Sequence, residues 1–168
     1  MDETYIGGKE KNKHKSKRLK VGRGPVSKQP VMGLKERGGP VCAMPVVRAD
    51  GPTLKKSISD NVEKGTSVYT DNHRGYLGLK DYNHKSVKHS AGEYVNGKVS
   101  THGIESFWAL LKRGYYGTHH WWSVKHLHRY IAEYTYLQNT IGLSGELALT
   151  SIIRGGSGKR LKYSELIG

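Results

Sequence analysis

The hydrophobic pattern of this chain changes period at Ile104, and that change limits the folds open to it. From Ile104 onward the apolar residues Ile104, Phe107, Trp108 and Leu111 recur at helical spacing, and the stripe stops at Gly114. Before it, short valine- and tyrosine-rich runs are broken by glycine, and all five prolines fall between Pro25 and Pro52. The runs Val31–Glu36 and Val41–Val47 flank Arg37-Gly-Gly-Pro40 and predict two strands joined by a tight turn. With residues 3–6 they complete an antiparallel meander. Leu54, Ile58 and Val62, followed by Gly65, predict an amphipathic helix over Thr53–Lys64. Ser67–Asp71 reads as a strand, Asn72–Lys80 as a short helix, Ser86–Ser90 as a strand and Gly92–Gly103 as a polar loop. Ser123 can cap a helix carrying Val124, Leu127, Ile131 and Tyr134, and a further helix is expected over Ser144–Arg154. This order of elements belongs to an α/β or α+β protein with helices packed on a sheet.

Composition narrows the function. At 168 residues and 35% hydrophobic content the chain supports one core, and its net charge of +14 predicts a polyanionic partner. The basic excess is concentrated. Between Lys9 and Arg37 there are eleven Lys and Arg against two acids, Glu10 and Glu36, and residues 9–29 carry no hydrophobic period, as in a loop or a mobile basic arm. No apolar run has the length of a membrane span, and the N-terminus lacks the apolar stretch of a signal peptide. The lone Cys42 excludes an internal disulfide and a thiolate zinc site, which points to a reducing cytoplasm.

Only fourteen carboxylates are present, and three stand out by position. Asp2 lies in an expected strand, Asp71 ends another, and Glu105 sits in the first turn of the tryptophan-bearing helix. Carboxylates so placed can converge on hard divalent cations, although Asp71 also suits a helix cap and Glu105 a helix N-terminus. Asp2 and Glu3 compete, because adjacent strand residues face opposite sides. His102, Ala109 and Lys112 share the Glu105 face, which puts Lys112 and Arg113 near a phosphate or on a solvated helix end. Five of the nine histidines lie in residues 102–128, interleaved with Trp121 and Trp122; the cluster lacks zinc-ligand spacing, and its tryptophans read as packing rather than as base stacking. Gly155-Gly-Ser-Gly-Lys159-Arg160 lacks the first glycine and the Ser/Thr of a phosphate loop, which excludes an NTPase.

Five motifs then combine. Asp2-Glu-Thr-Tyr-Ile-Gly-Gly-Lys9, Val68-Tyr-Thr-Asp71 with Gly75-Tyr76, Val87-Lys-His-Ser90, Thr101 through Thr118, and Lys125-His-Leu-His-Arg-Tyr130 resemble the catalytic domain of prokaryotic insertion-sequence transposases of the DDE superfamily, the ISXO2-like group. The resemblance implies an α/β, RNase H-like fold, a mixed sheet flanked by helices. It also implies that Asp2, Asp71 and Glu105 are the catalytic carboxylates and hold two Mg²⁺ or Mn²⁺ ions. The implied activity is metal-dependent cleavage of DNA at element ends and strand transfer into target DNA, by a homo-oligomer in the DNA complex, in a prokaryotic cytoplasm. Expected DNA contacts are Lys9, Lys11, Lys13, Lys15, Lys17, Arg18, His102, Lys112 and Arg113. Residues 1–140 form the expected catalytic domain and 141–168 a helical, basic tail.

The chain departs from the group in three places. The first aspartate is residue 2, no zinc-binding or helix-turn-helix region precedes it, and an expected Arg-x-Asn pattern reads Leu137-Gln-Asn139. The chain therefore reads as a catalytic domain or a truncated transposase. The competing readings are an inactive remnant that binds DNA non-specifically and a basic RNA-binding module.

Overall fold

The structure, a computed structural model, describes residues 1–19, 24–87 and 101–167. Its first half is the meander that the valine runs require. Strands β1 (Asp2–Ile6), β2 (Gln29–Lys35) and β3 (Val41–Pro45) pair antiparallel in the order β1-β2-β3, with Asp2 opposite Gly33 and Lys35 opposite Val41. Helix α1 (Gly51–Asn61) follows, its first turn fixed by Asp50, whose carboxylate accepts from the Thr53 N–H at 3.1 Å, and by Pro52. Strands β4 (Ser67–Asp71) and β5 (Asn83–Val87) then form a parallel pair. The two ladders meet where the Met1 nitrogen donates to the Tyr69 carbonyl at 2.6 Å.

Strand β2 is covered on both faces, and its alternation divides the core. Val31 joins Ile6, Val41 and the stripe Ile104, Phe107, Trp108 and Leu111 of helix α2 (His102–Arg113). Met32, its neighbour, points the other way into Met1, Leu54 and Ile58 of α1, Val68 and Tyr76. Helices therefore flank the sheet on two sides, as in an α/β architecture. Helix α3 (Leu127–Thr140) backs the first cluster through Leu127, Ile131 and Tyr134.

Several boundaries differ from the sequence expectation. The stripe does not end at Gly114: a π-helical turn continues through Gly114–His119. Gly114 is needed there for close approach, since a Cβ would lie 1.8 Å from the Tyr134 hydroxyl oxygen. Ser123 does not cap α3 directly. Its hydroxyl accepts from the His126 N–H at 3.3 Å in the turn that leads in, and the helix begins at Leu127. Asn72–Lys80 holds only a 3-10 turn, Arg74–Tyr76, because Gly75 and Gly78 break the periodicity. The last strand lies at Asn83–Val87, and the expected residues 88–90, with most of the 92–103 loop, lie outside the described residues.

The described residues 9–19 of the basic segment form a loop with two 3-10 turns, Glu10–Asn12 and Lys15–Lys17. The Glu10 side chain binds Lys13 and accepts from the Leu19 N–H, while the Arg18 guanidinium donates to the Lys11 and Lys13 carbonyls. The helix expected over Ser144–Arg154 is α4 (Gly145–Gly156), capped by Ser144, whose hydroxyl accepts from the Leu147 N–H. A short α5 (Tyr163–Ile167), not read from the sequence, follows. Among the described residues no helix is long and apolar enough to cross a membrane.

Candidate active site

The site begins with the strand pleat. Asp2, Thr4 and Ile6 share one face of β1 and Glu3 and Tyr5 the other, so the two acids leave the backbone in opposite directions. Each is caught by a different layer. The indole N–H of Trp108, on α2, donates to Asp2 Oδ2 at 3.0 Å. The hydroxyl of Tyr76, on the α1 side, donates to Glu3 Oε2 at 2.5 Å. Both acids sit at the head of the strand beside the end of β4, where Asp71 projects. As a result ligand oxygens of Asp2, Glu3 and Asp71 lie within 4.8 Å of one another, the one group of this kind among the described residues.

The supports of this cluster were not legible as functional residues. Trp108 reads as one more apolar position of the stripe, yet its ring edge carries the donor. It reaches Asp2 because the facing position on β2 is Gly33, where a Cβ would fall 2.5 Å from Trp108 Cζ2 and 2.7 Å from Ile104 Cδ1. Tyr76 ends the 3-10 turn after β4. The same turn holds Asp71, whose Oδ1 accepts from the His73 N–H at 3.2 Å, and brings the His73 ring to 3.7 Å from Glu3. The motif Asp71-Asn-His-Arg-Gly-Tyr76 was the available signal.

Electrostatics mark the cluster as strained by its own charge. Burial, reinforced by the Glu3 and Asp71 carboxylates, pushes Asp2 up to about 6, against the pull of the Glu3 N–H and Trp108. Burial and the adjacent Glu3 raise the Tyr76 phenol far above its usual range, so it remains a donor. A divalent cation relieves such crowding of hard oxygen donors, and the donor set fits Mg²⁺ or Mn²⁺.

Glu105 lies on α2 one helical turn before Trp108, outside the 4.8 Å group. Its carboxylate accepts from the Thr101 hydroxyl at 2.7 Å and lies 3.3 Å from His102 Nδ1. Of the expected phosphate contacts, Lys9, Lys11, Lys15, Lys17, Arg18, His102, Lys112 and Arg113 are exposed and Lys13 is half-buried against Glu10. Lys35 at the end of β2 and Arg37 in the β2–β3 turn, not among the expected contacts, line a groove of about 890 Å³ that runs to Tyr69, Thr101 and Ile104 beside the cluster. The packing reading of the tryptophans holds for Trp122, 5% exposed and stacked on Tyr130, and fails for Trp121, which is 67% exposed.

An acidic centre on the strand ends of an α/β sheet, in a chain of net charge +14, is the combination suited to phosphodiester substrates. Residues 1–139 match the model of the ISXO2-like transposase domain, and the chain belongs to that family. It is thus a transposase domain, a nuclease or transferase type of enzyme whose partner is DNA. No curated protein and no solved structure matched the chain.

Proposed function

We propose that this domain cuts and joins DNA strands by DDE chemistry. The observation that carries the reading is the gathering of Asp2 and Asp71, from β1 and the end of β4, within 4.8 Å. The tie of Trp108 to Asp2 supports placing Glu105 as the third acid, one turn away on the same helix. Asp2, Asp71 and Glu105 would hold two Mg²⁺ or Mn²⁺ ions. When bound, these supply a polarised attacking oxygen and neutralise charge on the leaving oxygen. The chain's own cations do the rest of the positioning. Lys9, Lys11, Lys13, Lys15, Lys17 and Arg18 hold the phosphate backbone, and His102, Lys112 and Arg113 present donors from the Glu105 helix. Groups so arranged fix the scissile phosphate but read no base.

One observation favours a second reading. The Glu105 carboxylate is engaged by Thr101 and His102 and lies outside the group of Asp2, Glu3 and Asp71, which suits a domain that binds DNA without cutting it. Nicking of a labelled duplex with Mg²⁺ or Mn²⁺ separates the two. Under the first reading, Asp71→Asn and Glu105→Gln each lower cleavage at least ~100-fold while DNA affinity is kept, because both remove negative charge. Metal-independent cutting, or full activity of Asp71→Asn, would exclude DDE chemistry. Binding with no cutting under any metal condition would establish the second reading.

A further inference from the structure

Sequence pattern leaves Glu3 competing with Asp2, and the structure gives it a partner of its own. Its side chain is only 8% exposed, more enclosed than a surface acid, yet no Lys or Arg is paired with it among the described residues. Its defined partner is the hydroxyl of Tyr76, a fully buried phenol whose ring packs among Leu54, Ile58 and Val68 and whose single polar atom is spent on this carboxylate. The turn that delivers Tyr76 also delivers the backbone N–H that holds Asp71. One rigid element therefore sets the spacing between the β1 acids and the β4 acid. A packing role alone needs no hydroxyl, since phenylalanine fills the same space and buries no polar group.

We infer that Tyr76 is a positioning residue that acts through Glu3 to set the affinity of the Asp2–Asp71 centre for a divalent cation. The inference rests on the metal-binding reading given above. Hydrogen-bonding partners that orient the carboxylates of a metal centre typically change metal affinity 10–100-fold when removed.

The test is a titration of the metal-free full chain with Mn²⁺, following free Mn²⁺ by electron paramagnetic resonance, with no substrate present. Tyr76→Phe is expected to weaken Mn²⁺ binding about tenfold. Tyr134→Phe, which removes a buried hydroxyl from the other core cluster, should leave it unchanged, so loss of stability alone is controlled for. Glu3→Ala removes both the charge and the acceptor for the phenol, and it should weaken binding as well. Because Tyr76 acts through Glu3, adding Tyr76→Phe to Glu3→Ala should produce no further loss. Wild-type Mn²⁺ affinity in Tyr76→Phe, or an equal further loss in the double variant, would overturn the inference. Asp71→Asn keeps the two failures apart. If it binds Mn²⁺ as wild type does, the metal centre itself is misassigned, whereas if it loses binding and Tyr76→Phe does not, only the role of Tyr76 falls.

Discussion

Asp2 is held in two incompatible ways. Trp108 favours its anion, while burial and two neighbouring carboxylates favour the acid, and the balance lifts it to about 6 from an ordinary 3.8. An acid whose folded pKa is raised binds a proton in the native state that the unfolded chain has already lost. Stability from this group is therefore present below the unfolded value and lost as pH rises from about 4 to about 6. At roughly 1.4 kcal/mol per unit, the metal-free protein forfeits on the order of 3 kcal/mol by pH 7. Asp2→Asn keeps an oxygen to accept from Trp108 and carries no charge at either pH. Urea denaturation without metal should show it more stable than wild type at pH 7.5, by up to roughly 3 kcal/mol, with the gap shrinking to below about 1 kcal/mol at pH 4.5. An equal gap at both values would mean that Asp2 is not under electrostatic strain.

At the scale of elements, the sequence declared those whose apolar residues sit on one face and missed those made by contact. Leu54 and Ile58, or the stripe from Ile104 to Leu111, announce their helices because burial and periodicity coincide. The π-helical turn is invisible in this sense, since it is set by Tyr134 pressing on Gly114 from a helix twenty residues away. The acidic centre divides the same way. Asp71 is legible at a strand end, but Glu3 reaches the centre through Tyr76, a side-chain contact across 73 residues that no local pattern encodes. Asn139 is a further case. It lies where the family resemblance placed an Arg-x-Asn pattern, and its amide clamps β3 to α3, accepting from the Val41 N–H at 2.7 Å and donating to the Val41 carbonyl at 2.8 Å. Asn139→Ala should cost roughly 1–3 kcal/mol by leaving both strand groups unpaired at a covered edge. Chemical denaturation reads this directly, and a loss within ~0.3 kcal/mol would show that water replaces the amide.

For the whole molecule, the hydrogen bond from Met1 to Tyr69 bears on the order of assembly. It joins positions 68 residues apart. The β2–β3 hairpin, by contrast, closes over a short turn, and β4 and β5 pair across 16 residues. Closing the longer loop costs chain entropy that only previously formed ladders can offset. The acids of β1 and β4 are thus expected to come together after the β2–β3 and β4–β5 ladders have formed, which spares those early steps their mutual repulsion. Stopped-flow kinetics should then separate the two regions, with Val31→Ala in β2 slowing refolding and Val68→Ala in β4 chiefly hastening unfolding. The reverse pattern would place the β1–β4 junction in the nucleus. On the expected ordering, a contact that matures after the rate-limiting step changes how long the native state lasts and leaves the speed of reaching it alone, so the centre governs the lifetime of the fold.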